Sequence, residues 1–135
     1  MLGYSDSMLR GIHKVDQIDG DGFVLTTAFL PDTRTNEGRN DNYYETSINW
    51  EDDEYALSLT LKAYPNGAVR LARKELDQIN EFPSVQGGLF YERKPKIDNP
   101  YHGNILFDKA ISKAKQKMIA GILALASSKV IHKVC

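Results

Sequence analysis

The stretch Asp108–Ala126, DKAISKAKQKMIAGILALA, decides the fold class of this chain. Apolar residues recur along it at intervals of three and four positions, the spacing that lines one face of an α-helix. This stripe comprises Phe107, Ile111, Ala114, Met118, Ile122 and Leu125. Asp108 is the predicted N-cap, because its carboxylate can accept hydrogen bonds from the free backbone N–H groups of a first turn. Beyond Met118 nearly every residue is apolar, so we expect the second half of the helix to be deeply buried against a sheet.

Several segments upstream of this helix have the β-branched and aromatic content that is typical of strands. They are residues 10–18, 23–30, 43–50 and 87–95. The first two flank Asp-Gly-Asp-Gly at 19–22, which predicts a hairpin, since Gly and Asp tolerate the positive φ of a tight turn. Residues 68–80 predict a short strand that runs into a helical turn. The order of elements predicts a single α+β domain over residues 1–135, with a mainly antiparallel sheet and a long C-terminal amphipathic helix packed on it.

Residues 51–64, EDDEYALSLTLKAY, fit two interpretations. Leu57, Leu59 and Leu61 alternate with polar residues, which is the periodicity of a strand. A helix is also consistent, because Asn49 could cap it and the acidic residues 51–54 would complement the helix dipole. We favour the helix, and the strand remains open.

The overall composition excludes several classes of protein. The 135 residues carry a net charge of −1, so a globally basic nucleic-acid binder is excluded. Cys135 is the single cysteine, which excludes disulfide scaffolds and cysteine-rich zinc sites within the chain. A signal peptide is not expected, because residues 1–11 have neither a basic n-region nor a long apolar run. A membrane span is not expected either, because the longest apolar run, 118–126, is far shorter than the ~20 residues that a span needs. We therefore expect a cytoplasmic protein.

Motifs of metal, cofactor and nucleotide chemistry are not found. A calcium loop starting at Asp19 fails, because the later ligand positions are occupied by apolar residues and Thr27. The histidines His13, His102 and His132 lack the spacing of a local metal site. We therefore expect no metal and no cofactor, and the sequence favours a protein that is not an enzyme.

The run Asn99–Ile105, NPYHGNI, contains the best candidate for acid–base chemistry, His102. Its near-neutral pKa would suit proton transfer, and Asp98 and Tyr101 are close in sequence. The favoured alternative is structural: a turn that starts at Asn99, with His102 bonded to a nearby carbonyl and Gly103 permitting the bend. The run would then lead the chain into a final strand and helix.

Arg10-Gly11 on the first strand and Thr46-Ser47 on the third resemble two motifs of the arginine-specific ADP-ribosyltransferases. That resemblance implies that Arg10 holds the phosphates of a dinucleotide. The third motif of the family, Glu-x-Glu or Gln-x-Glu, is absent from this chain. With His102, the resemblance gives a candidate set for a nucleotide-binding enzyme: Arg10, Thr46, Ser47 and His102.

A second resemblance covers more of the chain. The layout Arg10-Gly11-Ile12, Ala28-Phe29, Thr46–Asn49 and Asn99–His102 is similar to that of small uncharacterised bacterial proteins. That group has no established activity, so the resemblance implies a fold and an origin rather than a function.

Aromatic residues around the acidic run 51–54 suggest a surface for a protein partner, since Tyr and Trp make strong interface anchors. The candidates are Tyr43, Tyr44, Trp50 and Tyr55, with Tyr101 and His102 from the later loop. The loops 31–42 and 98–105 are the expected contact regions. The leading hypothesis is an accessory protein that binds a protein partner or itself, and the alternative is the nucleotide-binding enzyme.

Overall fold

The computed structural model describes residues 4–31, 43–85 and 87–132. Five antiparallel strands form one sheet in the order β3-β1-β2-β5-β4. The strands are β1 Ser7–Gly11, β2 Tyr43–Trp50, β3 Ala68–Ala72, β4 Leu89–Arg93 and β5 His102–Asp108. The helices are α1 Glu54–Ala63, α2 Arg73–Asn80 and α3 Lys113–Ala126, and short 3-10 turns occur at Val15–Gln17 and Thr26–Ala28. This confirms the predicted α+β class.

The two faces of the sheet are covered by different elements. Helices α2 and α3 and the Thr26–Ala28 turn cover one face, where the main core forms around Trp50 and Phe107. Helix α1 packs on the other face, across β1 and β2. Because side chains alternate along a strand, neighbouring residues of one strand contribute to different faces.

Residues 54–63 are a helix, as favoured, but Asn49 does not cap it. The N-cap is Asp53, whose carboxylate accepts from the backbone N–H of Tyr55. Asn49 instead lies within β2, paired with Leu9 on one side and His102 on the other.

The predicted hairpin across residues 19–22 is wrong. The isolated antiparallel bridge Ile18↔Val24 and a hydrogen bond from Gln17 Nε2 to Thr27 O join its two arms, but residues 23–30 form no strand, and the chain enters the Thr26–Ala28 turn. The Asp19 carboxylate accepts from the backbone N–H groups of Asp21 and Phe23, which closes a tight loop. The carbonyls of residues 28 and 29 accept from side chains of the sheet instead of pairing with a neighbouring strand.

The last helix begins later than predicted. Ser112 is its N-cap and accepts from the backbone N–H of Lys115, whereas Asp108 ends strand β5. Phe107 therefore belongs to the sheet and not to the helical stripe. The predicted stripe is also not the buried face of α3. Leu125 is 88% exposed and Met118 is 39% exposed, whereas the buried residues of the helix are Gln116, Ile119, Ala120, Leu123 and Ala124. Among the described residues, no helix combines the length and apolar character required to cross a membrane.

Candidate functional site

Arg10 lies on the α3 side of the sheet and is committed to backbone carbonyls. Its Nε donates to Ala28 O at 2.8 Å and its Nη1 donates to Ser47 O at 2.7 Å. Burial lowers the pKa of Arg10 to about 10, so the guanidinium remains charged at neutral pH. The side chain therefore fastens the segment at Ala28 to the sheet, and both bonds are to the chain's own backbone.

Thr46 has a similar structural role. Its hydroxyl donates to Phe29 O at 3.1 Å, and the residue is buried. Thr46 and Ser47 are neighbours in one strand, so their side chains point to opposite faces. Of the four residues in the predicted nucleotide set, Arg10 and Thr46 thus lie on one face, and Ser47 and His102 lie on the other.

Ser47 and His102 line a cleft of about 560 Å³ between α1, strands β1 and β2, and the turn at residues 96–101. We call it the polar cleft. Its further lining residues are Leu9, Gly11, Ile48, Asn49, Leu59, Lys62, Ala63, Tyr64, Lys96, Asp98 and Asn99. Gly11 has a packing role here, because any side chain at this position would overlap the Tyr64 ring.

A chain of hydrogen bonds fixes the wall of the polar cleft. Asn99 Nδ2 donates to Asn49 Oδ1 at 2.8 Å, and Asn49 Nδ2 donates to Thr60 Oγ1 at 2.8 Å. The Thr60 hydroxyl in turn donates to Ala56 O at 2.7 Å. The turn before β5 is thereby held to α1 through β2. Neither Asn49 nor Thr60 was singled out from the sequence for this role, because nothing in the local pattern reveals the link between Asn49 and Asn99, which are 50 positions apart.

His102 has a defined tautomer. Its Nδ1 lies 2.9 Å from Lys94 O, and because a carbonyl can only accept, Nδ1 carries the hydrogen when the ring is neutral. The second ring nitrogen, Nε2, is then the acceptor. Burial lowers the pKa of His102 below its ordinary value of 6.5, so the neutral form predominates at neutral pH.

Gly103 is required for close packing and not for a bend in the backbone. It does not have a positive φ, unlike Gly22, Gly67 and Gly87. A Cβ at residue 103 would overlap Glu92 O and the indole of Trp50, whose Nε1 donates to Glu92 O at 3.0 Å. The expectation that Gly103 permits a bend is therefore wrong, and the glycine is required by the close approach of the indole.

The aromatic residues predicted to contact a partner do not form one surface. Trp50 is fully buried, and Tyr101 donates its hydroxyl to Asp53 Oδ1 at 2.9 Å. This bond raises the pKa of the Tyr101 phenol. Tyr43 packs edge-on against Phe90, whereas Tyr44 lies on the other face.

Of the two loops expected to contact a partner, residues 31–42 lie outside the described residues apart from Pro31. Residues 98–105 are described, and they comprise the turn and the first part of β5. Tyr55 is 67% exposed at the start of α1.

A second depression, of about 720 Å³, lies between α3 and residues 19–26. We call it the apolar groove and define it by Phe23, Leu25, Met118, Ile122 and Leu125. Phe23 and Leu25 are each at least 40% exposed, and Met118 and Leu125 lie beside them. The sequence signal was present in the apolar second half of α3, but it gave no indication of which side of the helix the fold leaves uncovered.

The ends of the apolar groove differ in charge. Lys117 and Lys113 precede Gly121 by one and two helical turns, so they extend the groove towards the start of α3. Asp19 lines the other end, next to Asp21. Lys129 lies at that end too, with its Nζ 5.4 Å from the centre of the Phe23 ring.

Comparison with known proteins gives no match: no family model, curated protein or solved structure is significantly similar to this chain. Within residues 4–31, 43–85 and 87–132, no three His, Cys, Asp or Glu side chains are grouped so that they could hold a metal ion. The candidate sites are thus the polar cleft and the apolar groove.

Proposed function

We propose that this protein acts by binding a protein partner through the apolar groove. The observation that supports this proposal is the exposure of four large apolar side chains around one depression: Phe23, Leu25, Met118 and Leu125. Single exposed apolar residues are common on protein surfaces, but a contiguous apolar patch rimmed by charges is typical of an interaction site. We set the interaction in the cytoplasm, in keeping with the single cysteine of the chain.

The shape and charge of the groove favour an amphipathic helix of another protein as its occupant. Met118, Ile122 and Leu125 are spaced as the apolar stripe of a helix, and such a stripe packs well against a second apolar helical face. Helix α3 contains three lysines and no acidic residue. The partner helix should therefore carry acidic side chains at the end that meets Lys113 and Lys117, because opposite charges favour association and fix its direction.

The proposal moves the contact surface away from the residues that the sequence suggested. Trp50 is buried and the Tyr101 hydroxyl is bonded within the protein, so these two side chains do not support a surface around residues 51–54. Leu125, in contrast, lines the apolar groove and exposes most of its side chain. Leu125 is therefore the expected anchor.

The first test is a photo-crosslinking amino acid placed at position 125 in cells that make the protein, with position 97 as the control. Ile97 is fully exposed, but it lies between two lining residues of the polar cleft and is not part of the apolar groove. Position 125 should crosslink to one protein that position 97 does not capture. A product that contains only a second copy of this chain, or equal products from both positions, would contradict binding of another protein at the groove.

The second test measures affinity for the captured protein after purification. The Met118→Asp/Leu125→Asp variant should bind at least about tenfold more weakly, because anchor residues of an interface contribute about 2 kcal/mol or more. Ile97→Asp should bind as the unchanged protein does. Since Leu125 is exposed, its substitution alone should alter the free energy of unfolding by less than about 0.5 kcal/mol, which separates lost binding from lost folding.

A further inference from the structure

The polar cleft lies on the other side of the sheet from α3, so it is independent of the partner proposal. Its floor comes from β1 and β2, one wall from the second half of α1, and the other wall from residues 96–102. Its volume of about 560 Å³ lies within the range of roughly 300–1,000 Å³ that is usual for small-molecule sites. The hydrogen bonds from Asn99 through Asn49 to Thr60 hold both walls in place, so the cleft is already formed without a ligand.

Two side-chain atoms of the cleft, Ser47 Oγ and His102 Nε2, are not used in hydrogen bonds between the described residues. Ser47 is opposite Asn104 and His102 is opposite Asn49 in the β2–β5 pairing, which makes Ser47 and His102 diagonal neighbours on the same face. A hydroxyl that can donate or accept thus lies near an imidazole nitrogen that can only accept while the ring is neutral.

Two lysines bring positive charge to the same cleft. Lys62 lies in the last turn of α1, and Lys96 lies on the opposite wall. Neither lysine forms an ion pair with a described residue. Asp98 is the one carboxylate among the lining residues that the structure describes. The lining therefore carries a net positive charge, with a carboxylate that can accept hydrogen bonds from a hydroxyl.

We propose that the polar cleft binds a small organic phosphate that carries free hydroxyl groups, such as a sugar phosphate or a nucleoside monophosphate. The phosphate is held between Lys62 and Lys96, whose two charges match the roughly two charges of a phosphate monoester. The hydroxyls of the ligand donate to His102 Nε2 and Asp98, and Ser47 contributes a further hydrogen bond. Arg10 takes no part, because its guanidinium is bonded to Ala28 O and Ser47 O on the other face.

This arrangement differs from the one implied by the resemblance to ADP-ribosyltransferases. There, an arginine on the first strand would hold the phosphates. Here, the charges come from α1 and from the turn before β5, and Ser47 and His102 are binding residues. No reaction is assigned to the cleft, because the proposal concerns recognition of the ligand alone.

The test is nuclear magnetic resonance titration of the labelled protein with ribose 5-phosphate and with AMP, beside ribose and inorganic phosphate. The backbone amides of Ser47, Lys62, Lys96 and His102 should shift together at millimolar concentrations of the two organic phosphates. Ribose should bind far more weakly, because it lacks the charged group. Inorganic phosphate should perturb the two lysines, but with less effect at Ser47 and His102.

Lysine variants test whether these amide shifts arise from binding in the polar cleft. Lys62→Ala/Lys96→Ala should weaken binding of AMP by about tenfold or more, since each lysine supplies a charge-assisted hydrogen bond. The control Lys74→Ala/Lys115→Ala removes two exposed lysines from α2 and α3 and should leave the affinity unchanged.

Three outcomes would overturn the proposal. The first is the absence of shifts with both organic phosphates, the second is equal weakening by the control pair, and the third is shifts confined to the lysines of α3. Because neither lysine of the cleft lies in the apolar groove, failure here would leave the partner proposal untouched.

Discussion

The apolar groove and the polar cleft lie on opposite sides of one sheet, and they are built in opposite ways. The groove is open, and its lining is mostly side chains that make no directed bonds. The cleft is held by amide and hydroxyl hydrogen bonds that join α1, β2 and the turn before β5. The first surface suits a partner that supplies apolar area, whereas the second suits a ligand with matching polar groups.

The strands explain why neighbouring residues belong to different sites. Arg10 and Thr46 point to the α3 side, and Gly11 and Ser47 point to the cleft. Within each of the dipeptides that resemble the ADP-ribosyltransferase motifs, the first residue therefore has a structural role on the α3 side, and the second residue lines the polar cleft. Substitutions that affect only one face of the sheet test whether the two sites are separate.

The largest effect is expected for Arg10→Met. The variant leaves Ala28 O and Ser47 O without their charged donor, and each such bond contributes about 1.5–3 kcal/mol, so the free energy of unfolding should fall by about 3 kcal/mol or more. Urea denaturation measures this fall. The control is Arg70→Met, which breaks the partly exposed ion pair with Glu51 and should cost about 1 kcal/mol or less.

If Arg10 instead contacted a ligand phosphate, Arg10→Met would remove binding of AMP and change stability little. We expect instead that the folded fraction of the Arg10→Met variant binds AMP in the polar cleft with the affinity of the unchanged protein. An equal loss of stability in both arginine variants would contradict the structural role of Arg10.

A smaller effect is expected for Thr60→Val, which keeps the side-chain shape and removes the hydroxyl. Asn49 Nδ2 loses its acceptor in a buried position, which should lower the free energy of unfolding by about 1–2 kcal/mol. Amide hydrogen exchange should become faster in α1 and in the turn at 96–101, and stay unchanged in α3. The contrasting variant Ser58→Ala, at an exposed position of the same helix, should leave exchange unaltered. Faster exchange in α3 would show that the two faces are coupled.

The smallest effect is expected for the contribution of His102 to the pH dependence of stability. Burial lowers the pKa of His102, so the unfolded chain binds this proton more readily than the folded protein does. The contribution of neutral His102 to the free energy of unfolding is fully present above the pKa of the residue in the unfolded chain, about 6.5. It is lost as the pH falls through the lower pKa of the residue in the folded protein. His13 acts in the same direction, because its pKa is lowered by burial and by the charge of Arg10.

His102→Gln should therefore reduce the loss of stability between about pH 7 and pH 5. The substitution should not change the loss of stability at lower pH. That loss comes from protonation of Glu51, because the hydrogen bond with Arg70 holds the pKa of this carboxyl below its usual value. The ring proton signals of His102 should titrate below pH 6.5. A titration above that value would contradict the burial of the imidazole.

Much of the fold was predictable from residue patterns. The aromatic and β-branched content of residues 43–50 and the periodicity of the last helix are local signals, and the structure has a strand and a helix at these positions. The hairpin at 19–22 was wrong because the carbonyls of residues 28 and 29 are satisfied by Arg10 and Thr46, which are distant in sequence. The reason for Gly103 was also wrong, since it depends on where the indole of Trp50 packs.

The candidate sites were predictable only in part. His102 was found because its residue type is rare and its run is unusual, and the structure places it in the polar cleft. Asn49 and Thr60 were missed in this role, because their link to Asn99 exists only after β2 has paired with β5. The apolar groove was missed because periodicity shows that α3 is apolar on several sides, but not that residues 19–26 leave Leu125 uncovered.

The separation of the two faces is tested most directly by hydrogen–deuterium exchange of the protein alone, with the captured partner, and with AMP. We predict that the partner slows exchange in residues 19–26 and in the exposed face of α3, and that AMP slows exchange in residues 59–64 and 96–102 but not in α3. Protection of residues 96–102 by the partner, with none in α3, would contradict the assignment of the groove as the partner surface.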